Sequence, residues 1–444
     1  MSKLIIIGAG PGGYETALLA AKHGMDVTLI ERESVGGTCL NVGCIPTKAL
    51  CRSAEILDNI KSAADFGITA GAAEIDFPAV MARKDSIIAQ LKAGVESLLS
   101  SAKINVVRGD AKFVDKNTVD VAGEKFSADN IIIATGSVSA TLPIEGADLP
   151  GVINSSELLN ITELPKRLCI IGAGVIGLEF ASIFHSFGCE VLVVEYTKEV
   201  LPHFDSDVAK RLRQALGKRG INIETQSAVT SIKSEGGELV VCYTRKGKDF
   251  SISADKVLMA VGRKPNVDSL NLADIGIDFS NKGIAVNEYM QTNIPGIYAI
   301  GDINGQMMLA HAATFQGFKA LDHICGTADN INLSIMPAAV FTHPELATVG
   351  LTEEECKDNG IEFTCRKSLF RANGKALCLG ETDGLCKLLV ASDGKILGCH
   401  ILGPHASDLI HEISTAMTAG LTIDDLKSAI HTHPTLSEVL QAAF

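Results

Sequence analysis

Residues 4–33 read LIIIGAGPGGYETALLAAKHGMDVTLIERE, and residues 168–197 read LCIIGAGVIGLEFASIFHSFGCEVLVVEYT. Each opens with a short apolar run suited to a buried strand, turns on GxGxxG, continues as an amphipathic helix and, past a glycine, ends in a second apolar run. Each then carries an acid at the same interval, Gly8 to Glu31 and Gly172 to Glu195. Strand, glycine turn, helix and an acid roughly 20 residues on make up the dinucleotide fingerprint. Gly8 and Gly172 permit the tight turn, and Gly10 and Gly174 let the backbone approach pyrophosphate. Gly13 and Gly177 let the helix pack on the strand, with the phosphates at the helix N-terminus. One such motif is weak evidence. Two full copies with matched acids set an α/β architecture with two Rossmann-like dinucleotide-binding domains.

The second copy favours NAD over NADP. Glu195 accepts both hydroxyls of an unphosphorylated ribose and repels a 2′-phosphate. No Arg follows it in EYTKEV, where Lys198 is the nearby cation. Two further stretches read as closing strands: IIIATGS, Ile131–Ser137, and VLMAVGRKPN around Gly262. TNIPGIYAIGD ends at Asp302, an acid at a strand end that can hydrogen-bond a polyol.

Cys39 and Cys44 lie in GGTCLNVGCIPTK. On an ideal helix five residues rise about 7.5 Å, beyond the ~7 Å Cα separation that a disulfide tolerates. The segment must therefore bend, with Gly43 and Pro46 as the means, and a bridge in such a backbone is a candidate for a reducible one.

The chain has 444 residues, 46% hydrophobic and 20% charged, enough for two to four domains. A net charge of -13 without basic runs argues against a nucleic-acid partner. No apolar stretch approaches the ~18 residues that a membrane helix needs, and Leu4–Ile7 reads as a strand rather than a leader. Twelve scattered cysteines suit a reducing compartment and mostly buried thiols, so a cytoplasmic location is expected. No CxxC occurs, and the Cys and His spacings suggest no metal site.

Together these motifs resemble the flavin-dependent disulfide reductases, over essentially the whole chain. The resemblance covers both fingerprints, GGTCLNVGCIPTK, the ATG turn at Ala134, Thr135 and Gly136, the Gly-Asp at Asp302, and HTHPTLSE at His431–Glu438. HPTLSE is the form of the dihydrolipoyl dehydrogenase branch, whereas glutathione reductases carry HPTSSE. The ending QAAF lacks the C-terminal thiol pair of mercuric reductases. MMLAHAATFQG departs from the branch after LAH, where acids are commoner, and this touches the helix around Gln316.

The resemblance implies FAD at the first site and NAD at the second. It implies an FAD-binding part split over 1–143 and 263–332, an NAD-binding domain over 144–262, and an α+β dimerisation domain over 333–444. For FAD it implies Gly8, Gly10, Gly12, Gly13, Glu31, Gly37, Thr38, Lys48, Ala111, Ala134, Thr135, Gly136, Asp302, Leu309, Ala310 and His311. For NAD it implies Gly172, Gly174, Val175, Ile176, Gly177, Glu195 and Gly262. Cys39 becomes the thiol that exchanges with substrate and Cys44 the thiol against the flavin. Lys48, near the flavin, pairs with Glu179. His433, oriented by Glu438 and preceding a cis proline, serves as base in the partner subunit of a homodimer, with His431 supporting.

The activity so implied is oxidation of dihydrolipoamide with NAD, as part of a 2-oxoacid dehydrogenase or glycine cleavage system. The lipoyl group is expected on a separate protein. Two other readings stand beside it: a related reductase for another disulfide, and a non-catalytic flavoprotein that binds a complex through its C-terminal domain. His343 and His400 read as structural or exposed.

Overall fold

Lys3–Ile7 form the central strand of a five-stranded sheet whose order is Ile297–Ala299, Asn130–Ile133, Lys3–Ile7, Asp26–Glu31, Asn105–Arg108. All its pairings are parallel. Leu4 to Ile7 are buried on both faces, which is why the strand reads as a continuous apolar run rather than an alternation. The second fingerprint builds the same sheet again: Asn222–Glu224, Glu190–Val194, Arg167–Ile171, Lys256–Met259 and Val152–Ile153, also parallel throughout. In such sheets ligands bind outside the carboxyl ends of the strands, where each glycine turn lies.

The computed structural model describes residues 2–268 and 270–444, and it divides into two units. One comprises residues 1–49, 81–140 and 262–333; the other comprises 50–80, 141–261 and 334–444. The first holds the first parallel sheet. Its helix Pro11–Lys22 lies against helix Ala310–Cys325, an approach so close that a Cβ on Gly317 would fall 1.9 Å from Thr16 Oγ1. The second unit holds the other parallel sheet and a five-stranded antiparallel one: Ala338–Val340, Glu345–Gly350, Ile396–Gly403, Leu385–Val390, Thr364–Leu369. Helix Ala406–Thr418 covers that sheet through Ala406, Ile410, Ile413 and Ala416. Among the described residues no helix is long and apolar enough to cross a membrane.

Within the second unit an ionic cluster joins the two sheets' surroundings. Lys387, on the fully buried strand Leu385–Val390, donates to both oxygens of Asp205 at 2.9 and 2.8 Å and to Glu353 at 2.6 Å. Asp205 is itself fully buried and caps helix Ser206–Lys218 by accepting from the Asp207 N–H. Lys357 and Lys387 hold the Glu353 carboxyl down at about 2 from an ordinary 4.5. Its contribution to stability is therefore complete above about pH 4.5 and is lost as the pH falls toward 2. Lys387→Met strands Asp205 without its cation and should destabilise the protein by about 3–5 kcal/mol. Chemical denaturation reads this out, and the double variant Asp205→Asn/Lys387→Met should recover much of the loss.

Candidate active site and dinucleotide sites

The two cysteines are joined in a disulfide, with their Cα atoms 4.6 Å apart. The bend occurs at Gly43, with φ -146° and ψ -107°, which ends helix Gly37–Val42 and lets Cys44 open helix Cys44–Lys61. Pro46 does not share in the bend. It sits in the first turn of the new helix, where a missing N–H costs nothing. Thr47 donates its N–H and its hydroxyl to the Gly43 carbonyl at 3.1 and 2.6 Å, and Asn41 donates to Val35 O and Gly37 O. The redox loop rests directly on the first fingerprint turn: the Gly36 N–H donates to Ala9 O, and a Cβ on Gly37 would lie 2.6 Å from Gly10 Cα. Lys48 follows Cys44 by one helical turn, on the same face, and is half-buried.

The glycines of each fingerprint divide by what surrounds them. A Cβ on Gly8, at φ +103°, would meet Ala134 O at 2.3 Å, and one on Gly13 would meet Gly8 O at 1.9 Å. The protein's own packing demands these two. A Cβ on Gly10 would meet nothing nearer than 4.0 Å, and one on Gly174 nothing within 4 Å. No packing explains glycine there, so the residues present suit a bound pyrophosphate that needs the space. Neither Gly10 nor Gly174 supplies a side-chain cap, which leaves the first-turn N–H groups of Pro11–Lys22 and Val175–Ser186 to an anion. Val175 and Ile176 open the second of these helices.

Both fingerprint acids are anchored in the same way, which the sequence did not reveal. Glu31 accepts the Ala9 N–H at 2.8 Å through one oxygen and the Glu33 N–H at 2.7 Å through the other. Glu195 accepts from Ala173 at 2.6 Å and from Thr197 at 2.7 Å. Each carboxylate is thus fixed beside its glycine turn with lone pairs remaining for further donors. Tyr196, next to Glu195, is 77% exposed.

Ala134 continues strand Asn130–Ile133, its N–H donating to Ile7 O, and the Thr135 hydroxyl donates to Asn266 O. Ala111 is buried at the start of strand Ala111–Asp115. Gly12 faces Ala313, and Thr38 is exposed on helix Gly37–Val42. Gly262, at φ +114°, accepts the Ala140 N–H. Asp302 lies in the 3₁₀ turn Gly301–Asn304, pinned from below by Gln316, whose Oε1 accepts from Gly301 N at 2.7 Å and Asn304 Nδ2 at 2.8 Å. Gln316 thus bonds the turn as a neutral acceptor. Leu309 caps helix Ala310–Cys325, and His311 is its second residue.

In the second unit, Glu179 is buried on helix Val175–Ser186 and accepts the Phe341 N–H at 3.0 Å. His433 precedes a cis peptide to Pro434, and a second cis bond joins His343 to Pro344. His433 Nδ1 donates to Glu438 Oε1 at 2.8 Å, and Glu438 Oε2 accepts the Thr435 N–H at 2.8 Å. The His433 bond, reinforced by the Thr435 N–H, holds the Glu438 carboxyl below the ordinary carboxylate range. With Nδ1–H committed, Nε2 is the basic nitrogen, on a ring 79% exposed. His431 has a carboxylate of its own: Nε2 bonds Glu412 at 2.9 Å, tying the segment to helix Ala406–Thr418. His400, by contrast, is fully buried between Thr348 and Leu351 O, and burial lowers its pKa. Of the ten free cysteines five are buried, so half rather than most of the thiols are hidden.

Residues 2–317 match the family described as pyridine nucleotide-disulphide oxidoreductase, and residues 336–444 match that family's dimerisation domain. The chain belongs to the pyridine nucleotide-disulphide oxidoreductases. It is 41% identical to dihydrolipoyl dehydrogenase from Bacillus subtilis over 99% of this chain and 95% of the relative. It is 40% identical to that of Geobacillus stearothermophilus, over 100% and 95%. Among solved structures, LpdA of Mycobacterium tuberculosis superposes with a TM-score of 0.92 at 28% identity, covering 100% of this chain and 99% of that one. The HOCl-induced flavoprotein disulfide reductase RclA of Escherichia coli gives 0.88 at 30% identity, covering 99% of each.

Proposed function

We propose that the protein is an NAD-linked dihydrolipoyl dehydrogenase carrying FAD, active as a homodimer on lipoyl groups borne by a separate protein, in the cytoplasm. The observation that carries this reading is the Cys39–Cys44 bridge, closed across a helix break and seated on a dinucleotide turn. FAD is assigned to residues 1–143 and 263–332, and NAD to 144–262.

A dihydrolipoamide thiolate attacks Cys39 Sγ. The S–S bond breaks, and Cys44 leaves as a thiolate. The second substrate thiol gives its proton to His433 Nε2 of the partner subunit and displaces Cys39, so substrate leaves as the cyclic disulfide and the two cysteines hold the electron pair. FAD, held at the first glycine turn, would supply the two-electron chemistry that links this dithiol to NAD. Lys48 would supply a cation to a bound flavin, stabilising the negative charge of its reduced form, and Glu179 is assigned to the same role. Glu438 fixes the ring of His433 and stabilises its protonated form.

The test is turnover of purified, FAD-loaded protein with NAD and free dihydrolipoamide. Failure to form NADH under anaerobic conditions would sink the proposal. The likeness to the HOCl-induced reductase favours a second reading, a reductase for another disulfide. Much faster turnover with NADPH or with a non-lipoyl disulfide would select it. Glu195→Ser should cut the preference for NADH over NADPH by about tenfold, the factor that ~1.4 kcal/mol of removed charge repulsion corresponds to. Paired kcat/KM values for the two cofactors check this.

A further inference from the structure

Three residues far apart in the chain meet beside the turn that carries Asp302. Arg263 Nε donates to Ser137 Oγ at 2.7 Å, and its Nη2 donates to the Ser137 carbonyl at 2.8 Å. The Ser137 hydroxyl lies 2.5 Å from Asp302 Oδ2. The direction of each bond follows from chemistry alone. A guanidinium only donates, so Ser137 Oγ accepts from Arg263, and its one proton goes to the carboxylate. Arg263 itself stays 4.0 Å from Asp302.

Bracing the backbone does not require this arrangement. Residues 137–139 and 263–265 already pair as an antiparallel ribbon, and the Asn266 N–H donates to Gly136 O. The guanidinium is largely buried, at 17% exposure, and burial works against its charge while Asp302 offsets that effect. A buried cation spent on orienting one hydroxyl implies that the place of the Asp302 carboxylate matters. Among the described residues, Oδ1 of Asp302 accepts from no side chain, while Oδ2 is committed to Ser137.

We propose that Ser137 and Arg263 are positioning residues for FAD: they lock Asp302 Oδ2 so that Oδ1 faces a flavin polyol hydroxyl in a fixed geometry. The inference rests on the reading of Asp302 as a flavin ligand. Its test is the dissociation constant of FAD for apoprotein stripped of flavin, followed by quenching of flavin fluorescence. Ser137→Ala should raise that constant by about 10- to 100-fold, the scale of a lost hydrogen bond to a charged group. Arg263→Met should act in the same direction, and Ser137→Thr, which keeps the hydroxyl, should bind as the parent does. In an Asp302→Ala background Ser137→Ala should cost little more, because the two act as one unit. Thermal unfolding of the apoproteins should be alike, which separates positioning from folding. Fully additive effects, or a silent Ser137→Ala beside a weakened Asp302→Ala, would overturn the proposal alone. A silent Asp302→Ala would overturn the flavin role of Asp302 and the proposal together.

Discussion

Cys44→Ser should leave the protein folded and yellow with bound FAD, yet lower kcat for NAD reduction by dihydrolipoamide by roughly 10⁴-fold or more, the scale of losing a nucleophile that acts as part of a unit. The reasoning starts from the Gly43 break. Because Cys44 opens its own helix, its Sγ is presented by a rigid element while Cys39 comes from the short helix before it. Serine at position 44 fits the same space but can neither bridge Cys39 nor hold electrons. Titration with NADH separates this from general damage. Transfer from NADH to an artificial one-electron acceptor needs no disulfide and should survive. The long-wavelength thiolate-flavin band that appears on partial reduction should vanish. In Cys39→Ser the same band should be present without reduction, because Cys44 is then a free thiol. Substantial lipoamide turnover by Cys44→Ser would remove the disulfide from the mechanism and revive the reading of a non-catalytic flavoprotein.

What was legible in the sequence was whatever a short window contains. The paired strands at Leu4–Ile7 and Leu168–Ile171 announce themselves as apolar runs before glycine turns, since both of their faces are covered. The bend between Cys39 and Cys44 follows from chain geometry, and the structure assigns it to Gly43 alone. Contacts set by sheet register were hidden. Ser137 meets Asp302 across 165 residues, and Lys387 meets Asp205 across 182. Lys387 sits in CKLLVAS, where a lone cation in an apolar run gives no sign that its strand is buried on both sides. His431 looked like an accessory to His433, yet its partner Glu412 lies 19 residues away on a helix whose only local signal is its own apolar stripe. The backbone grip on Glu31 and Glu195 was hidden for a further reason: a fingerprint acid is read for the ribose it could bind, not for the N–H groups that orient it.

His433→Gln should lower kcat with dihydrolipoamide by about 10²- to 10⁴-fold, the usual worth of a positioned general base. Glu438→Gln should cost less, about tenfold for each ~1.4 kcal/mol lost. The difference follows from the geometry. An amide at position 438 can still accept the Nδ1–H and keep the ring in place, but it no longer offers a charge to the imidazolium that forms when a substrate thiol gives up its proton. The pH dependence follows from the same bonds. Since the folded-state pKa of Glu438 is depressed, its hold on the segment is complete above the ordinary carboxylate value and fades only as the pH drops through the lowered one. Loss of activity on mild acidification therefore does not come from Glu438. Glu438→Gln should lower the plateau and shift the acid limb of the kcat profile to lower pH, since removing the anion beside Nδ1 disfavours the imidazolium. An acid limb unchanged in Glu438→Gln, or a Glu438→Gln loss as large as that of His433→Gln, would show that the dyad does not work as base and orienter.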